Sequence, residues 1–203
     1  MTVLTFPAIN NPSQITWRLR GLTQTHESPF DGSTQTLRRP GEKWEASLAW
    51  ERLKQSDFRI LSAWLAQLGG MSGRFFYTPV QAPRQATGTG TPVVNGSTQT
   101  GSTISIRGWT ANAEAFKAGD YLSYPDAAGR HLLYVATSDV TATSGGIASV
   151  PVAPPVRRSV ADGTAVEIIA PKAVFRLTDD APAIVYNVGP FGSISFDIVE
   201  ALV

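Results

Sequence analysis

Trp44-Glu45-Ala46-Ser47-Leu48-Ala49-Trp50 is the stretch that decides the fold of this chain. Trp44, Ala46, Leu48 and Trp50 alternate onto one face, the period of a half-buried β-strand. A face with two tryptophans and a leucine has to be covered, and the next segment supplies the cover. Ser56, an N-cap residue type followed by Asp57, opens a helix that stops at Gly69-Gly70, where glycine adopts the left-handed C-terminal conformation. Its Phe58, Leu61, Trp64, Leu65 and Leu68 form a helical stripe, so the expectation is one amphipathic helix lying across the apolar face of a sheet. Phe58 and Trp64 are read as core aromatics.

Upstream, residues 15–25 read as a strand. Pro29-Phe30-Asp31-Gly32-Ser33 and Arg39-Pro40-Gly41-Glu42 have turn chemistry, leaving 33–38 as a short strand of a meander. Residues 23–36 carry few apolar side chains and read either as an arm ordered by a neighbour or as a flexible hairpin. Downstream, Arg74-Phe75-Phe76-Tyr77-Thr78 is a strand ended by Pro79. Residues 85–92, polar and glycine-containing, have the character of a linker without core residues.

Five short strands then follow, at 103–107, 121–124, 131–137, 147–150 and 166–169, with Gly119-Asp120 and Asp162-Gly163 as turns. Without a helix among them, they predict a small barrel or sandwich. After Pro171, residues 173–177 and 193–199 read as two more strands with no sheet of their own. A lone hairpin is only marginally stable in water, so they are expected to return to the first sheet. The resulting expectation is a mainly β protein: an N-terminal β-sandwich with one packed α-helix (1–84), an inserted small β-barrel or sandwich domain (85–171), and C-terminal strands (172–203) that complete the first unit.

Only 16% of the 203 residues are charged and the formal net charge is +1. This gives no chain-wide basic surface for nucleic acid or an anionic membrane. Arg38-Arg39 and Arg157-Arg158 are read as solvated loop ends. A surface poor in charge and rich in Ser and Thr suits either a Thr-rich β protein or uncharged contacts between subunits. The absence of cysteine excludes disulfides, thiolate metal sites and cysteine nucleophiles. The N-terminal residues lack the pattern of a signal peptide and no long apolar run occurs, so synthesis in the cytoplasm and no membrane insertion are expected.

The search for catalytic chemistry returns little. Gly88-Thr89-Gly90 lacks the third glycine and the helix of a phosphate loop, and Gly70-Met71-Ser72-Gly73 has the wrong spacing for a nucleophile elbow. His26 and His131 are far apart without metal-ligand spacing. Asp179-Asp180 is the only adjacent acid pair and sits at a turn; it is the sole handle for an acid/base enzyme reading. Asn95-Gly96-Ser97 is read as a turn. Trp109, Tyr121 and Tyr124 are candidate sugar contacts, the basis of an alternative reading as a carbohydrate-binding β module on a virion or cell-surface assembly. No catalytic, cofactor or metal residues are assigned, and the chain is read as a non-enzyme.

The order of features resembles one family. A meander leading into Arg39-Pro40-Gly41-Glu42-Lys43-Trp44-Glu45-Ala46-Ser47-Leu48, the helix Phe58-Arg59-Ile60-Leu61-Ser62-Ala63-Trp64-Leu65-Ala66-Gln67-Leu68-Gly69-Gly70 and then Gly73-Arg74-Phe75-Phe76-Tyr77 resembles the distal tail proteins of long-tailed bacteriophages (siphophages). The middle pieces Gln99-Thr100-Gly101-Ser102-Thr103-Ile104-Ser105-Ile106-Arg107-Gly108-Trp109 and Phe116-Lys117-Ala118-Gly119-Asp120-Tyr121-Leu122 are similar to the inserted domain of some members. Val174-Phe175-Arg176-Leu177 and Ser193-Ile194-Ser195-Phe196-Asp197-Ile198-Val199-Glu200-Ala201 complete the succession. The resemblance implies a structural virion protein of the tail tip: six copies in a ring, one face on the tail tube protein, the other on the hub or fibre protein. DNA would pass only as transient cargo through the lumen. In some relatives the peripheral domain has an oligonucleotide/oligosaccharide-binding or galectin-like fold, but no sugar-binding motif carries over to residues here.

Overall fold

A computed structural model describes residues 3–79, 84–186 and 191–202. In chain order its elements are β1 (Val3–Thr5), β2 (Gln14–Glu27), β3 (Thr34–Lys54), α1 (Gln55–Leu68), β4 (Arg74–Tyr77), β5 (Gly90–Val94), β6 (Thr103–Trp109), β7 (Glu114–Phe116), β8 (Tyr121–Pro125), β9 (His131–Ala136), β10 (Val140–Thr141), β11 (Ile147–Ala153), β12 (Ala173–Leu177), β13 (Ala183–Tyr186) and β14 (Phe191–Glu200). The chain is mainly β with one α-helix among the described residues.

The large sheet has the order β1-β4-β12-β14-β3-β2, with β13 pairing on β14 beside β12. β14 runs antiparallel to β3 and β12 joins β14 to β4, so the C-terminal strands complete the sheet that the N-terminal residues begin. On β3, Trp44, Ala46, Leu48 and Trp50 all face the core while Ser47 is exposed, as their alternation requires. The stripe of α1 closes over them, and Trp64 bonds its indole N–H to the carbonyl of Thr5 at 3.0 Å. The helix ends at Gly69, whose φ of 69° is left-handed. Its start departs from expectation: β3 runs directly into the helix, Lys54 occupies the N-cap position, and Ser56 lies in the first turn with its hydroxyl on Asp57.

The turn expected at Arg39-Pro40-Gly41-Glu42 is instead a bulge inside β3. Arg20 pairs with Lys43 and Leu22 with Arg39, so residues 40–42 lie opposite Gly21 alone. A bulge absorbs both the missing N–H of Pro40 and the positive φ of Gly41, 115°. The strand therefore continues to its far end at Thr34.

The second sheet has the order β5-β6-β11-β9-β8, with β7 and β10 as a small ribbon beside it. Residues 166–169, expected as a strand, form isolated bridges that close the sheet: Val94 N–H donates to Thr164 O and Val166 N–H to Pro92 O on one edge, while Glu167 and Ser123 exchange both bonds on the other. Residues 85–92 are not a loose linker. Asp120, buried, accepts the backbone N–H groups of Gln85 at 2.6 Å and Ala86 at 3.1 Å, Ala86 is itself buried, and β5 begins at Gly90. Gly88 lies so close to Glu114 O that a Cβ would sit 2.2 Å from it, which is why a glycine-rich stretch packs here.

Strands β8 and β9 are shared between two cores. Leu122, Tyr124, Leu132 and Tyr134 fill the second sheet, whereas Leu133, with Tyr121 and Val135 against it, belongs to the core of the large sheet. Burial on both faces explains the unbroken apolar run from Leu132 to Ala136.

Candidate functional site

The three candidate sugar contacts do not form an exposed platform. Trp109 is buried against Phe116 at 5.4 Å, and Tyr124 is buried and stacked on Tyr134 at 5.3 Å, both within the second sheet. Tyr121 points the other way, toward Trp17 and Trp44. Burial pushes the Tyr124 and Tyr134 phenols above their ordinary range, as expected of core groups.

The remaining candidates have structural partners. Asp180 accepts the N–H of Met71 at 2.7 Å, tying the turn after α1, and Asp179 accepts that of Ala181 at 3.0 Å in a local turn. Neither carboxylate is paired with a base among the described residues. His131 sits 3.5 Å from the Ser123 hydroxyl, but that oxygen is buried and already accepts the N–H of Lys172 at 3.0 Å. Burial, with Lys172 nearby, lowers the pKa of His131 below its ordinary value. His26 lies on the exposed part of β2, and among the described residues no group of three His, Asp or Glu side chains has a metal-binding arrangement. No described helix is long and apolar enough to cross a membrane.

Two features are not absorbed by packing. The first is a cleft of about 620 Å³ where the second sheet meets the large one, walled by the bulge of β3, the β8–β9 turn, the loop after β11 and the end of β14. Its apolar floor includes Leu132, Pro154, Pro155 and Val156. Five arginines, at 38, 39, 130, 157 and 158, line it against three carboxylates, Glu42, Asp126 and Glu200, a surplus of two positive charges among the described side chains.

Arg157 and Glu200 form a buried ion pair at the back, where Glu200 also accepts the N–H of Trp44 at 3.1 Å. Burial raises the pKa of Glu200 above its ordinary value although Arg157 opposes it. At the mouth, burial pushes Asp126 up, but bonds from Arg130 and from backbone N–H groups outweigh it, so its pKa is lowered. Arg130 and Arg158 share this one carboxylate, and Arg39 has no ion pair among the described residues.

The second feature is the outer half of the β2–β3 hairpin. From residue 20 to residue 40 every side chain except that of Ser28 is exposed, and among the described residues no third strand covers the pair. Six residue pairs beyond the bulge, at about 3.3 Å each, carry the tip roughly 20 Å beyond it. At the tip Phe30 is 97% exposed, and Leu37 along the arm is 57% exposed. The turn is nonetheless ordered: Ser28 and Ser33 exchange a backbone bond, and Asp31 accepts both the N–H and the hydroxyl of Ser33. Hydrogen bonds from Ser28 and Ser33 hold the Asp31 pKa down at about 2.

The exposed arm was legible from the scarcity of apolar residues in 23–36. The cleft was not, because its arginines come from three separate segments and four of them, Arg38, Arg39, Arg157 and Arg158, read as loop ends. Scanned against known protein families and curated proteins, the sequence matches none.

Proposed function

We propose that this chain is a structural virion protein that assembles with copies of itself into a ring at the distal end of a long phage tail, joining the tail tube protein to the tail-tip hub or fibre. The observation that carries the reading is the β2–β3 arm. A two-stranded ribbon with both faces in water is marginal by itself, and a fully exposed phenylalanine at its tip gains from burial against something else. Among the described residues the two strands of the arm pair only with each other beyond the bulge, and its side chains are exposed, so a neighbour is the natural cover. The ordered sequence resemblance and the strand order of the large sheet, which the last three elements rejoin, support the tail-tip assignment, and the count of six comes from that resemblance.

A closed ring needs two different complementary patches on each copy. The arm is one. Mass photometry and electron microscopy of the purified protein over a concentration series test the reading: a closed species near six times the 21.7 kDa chain is expected. A strict monomer that is also missing from phage tails would overturn it.

A further inference from the structure

We infer that the receptor for the arm is the basic cleft of the next copy: the Phe30 ring enters the apolar floor beside Pro154, Pro155 and Leu132 while Asp31 meets Arg39 and Arg158. The inference rests on the self-assembly reading and names the surface it uses.

Geometry excludes the alternative that the arm folds back. Residues 38–42, the base of the arm, form one wall of the cleft, and the paired strands hold the tip some seven residues farther out. A chain's own tip cannot reach its own cleft, so the contact is one between copies, and repeated head to tail with a fixed rotation it closes the ring proposed above.

Charge selects this cleft over the exposed apolar strip on β13. The outer half of the arm ends in two carboxylates, Glu27 and Asp31, and hydrogen bonds from Ser33 to Asp31 favour its ionised form. The cleft offers a surplus of positive charge, including the unpaired Arg39. On the exposed strip of β13, Ile184, Val185 and Tyr186, Val185 lines a groove whose Glu51 and Arg52 balance, and the neighbouring groove carries Asp179 and Asp197, so neither offers the tip a surplus of positive charge. Size also fits: about 620 Å³ lies inside the roughly 300–1,000 Å³ range of pockets that enclose a bound group. The tip is already ordered by the Ser28–Ser33 and Asp31–Ser33 bonds, so docking orders few additional bonds.

The test places the photo-crosslinker p-benzoylphenylalanine at position 30, which keeps an aromatic ring there, and maps the crosslinked peptides by mass spectrometry. Crosslinks between copies to residues 130–132 or 154–158 are expected. In parallel, Phe30→Ala and Arg39→Glu, both at exposed positions and checked for an unchanged circular dichroism spectrum, should weaken self-association by roughly tenfold or more. Crosslinks landing elsewhere on an intact oligomer, or an oligomer that Phe30→Ala leaves within about twofold of wild type, would overturn the inference while leaving the ring reading standing. A chain that never associates would overturn both.

Discussion

The indole Nε1 of Trp44 donates to the backbone carbonyl of Leu133 across 3.0 Å, a bond between the large sheet and the second one that spans 89 positions in sequence. Both residues are buried, and the rings of Trp17 and Tyr121 pack on Trp44 at 5.4 and 5.5 Å. The second sheet is thus docked through a directional bond as well as apolar contact, and the walls of the cleft are held in register by it. Trp44→Phe keeps an aromatic ring but orphans the Leu133 carbonyl. The expected loss is about 1–3 kcal/mol in urea-induced unfolding. A change within about 0.5 kcal/mol would show that the bond contributes nothing to docking.

Gly192 of β14 lies under the ring of Phe58, so close that a Cβ would sit 2.2 Å from Cδ2. The first residues of α1 therefore rest on bare backbone. Gly192→Ala must displace either the ring or the strand and should cost about 1–3 kcal/mol by overpacking. Adding Phe58→Leu, which withdraws the ring edge, should recover part of that loss. Thermal denaturation of the three variants checks it; additive losses would point to strain in the β14 backbone in place of the ring contact.

How much of this was legible in the sequence depended on whether one segment carried the whole signal. The alternation of Trp44 to Trp50 and the stripe from Phe58 to Leu68 each decide an element alone, and both elements form. Pro40-Gly41 has the composition of a turn, yet in an antiparallel pair the same two residues serve a bulge, and only the partner strand decides between them. Gly90-Thr91-Pro92 reads as loop by propensity but pairs with β6, because Gly90 and Gly108 allow a close backbone approach. β13 went unseen: Ala183 to Tyr186 is too short and too exposed to show a period. The cleft is a property of tertiary structure, assembled from residues up to 164 positions apart in sequence; the one available hint was the continuous apolar run at Leu132-Leu133-Tyr134-Val135, which marks a strand buried on both sides.

Two carboxylates of the cleft should leave opposite marks on the pH dependence of stability. Asp126 has a folded pKa below its ordinary 3.8, so its contribution is present at neutral pH and is lost as pH falls through the folded value. Glu200 has a folded pKa above its ordinary 4.5. The unfolded chain therefore releases that proton first as pH rises, and stability declines from about pH 4.5 upward through the folded value. Asp126→Asn should flatten the acid limb of a plot of unfolding free energy against pH, and Glu200→Gln the limb above it. Unchanged slopes in both variants would contradict these assignments.

The buried pair of Arg157 with Glu200 should behave asymmetrically on substitution. Arg157→Met leaves a carboxylate buried without its counter-charge, at a cost of about 3–5 kcal/mol, whereas Arg157→Met with Glu200→Leu removes both charges and should return most of it. The double variant still loses the bond that Glu200 makes to Trp44 N–H, so full recovery is not expected. Denaturant unfolding of the two variants supplies the comparison.

Removing the arm separates folding from assembly. Thr23 pairs with Arg38, so residues 24–37 can be replaced by Asn-Gly, whose preference for the two-residue hairpin turn suits that register. Leu22, Arg38 and Arg39 are retained, which preserves the ion pair of Arg38 with the buried Glu42. The excised residues are all exposed except Ser28 and lie outside both cores, so the shortened protein should melt within about 4 °C of the parent, the shift that a 1 kcal/mol change produces in a domain of this size. It should also be monomeric at concentrations where the parent associates. An oligomer that survives the excision would transfer the assembly role from the arm to another surface, with the apolar strip on β13 first in line.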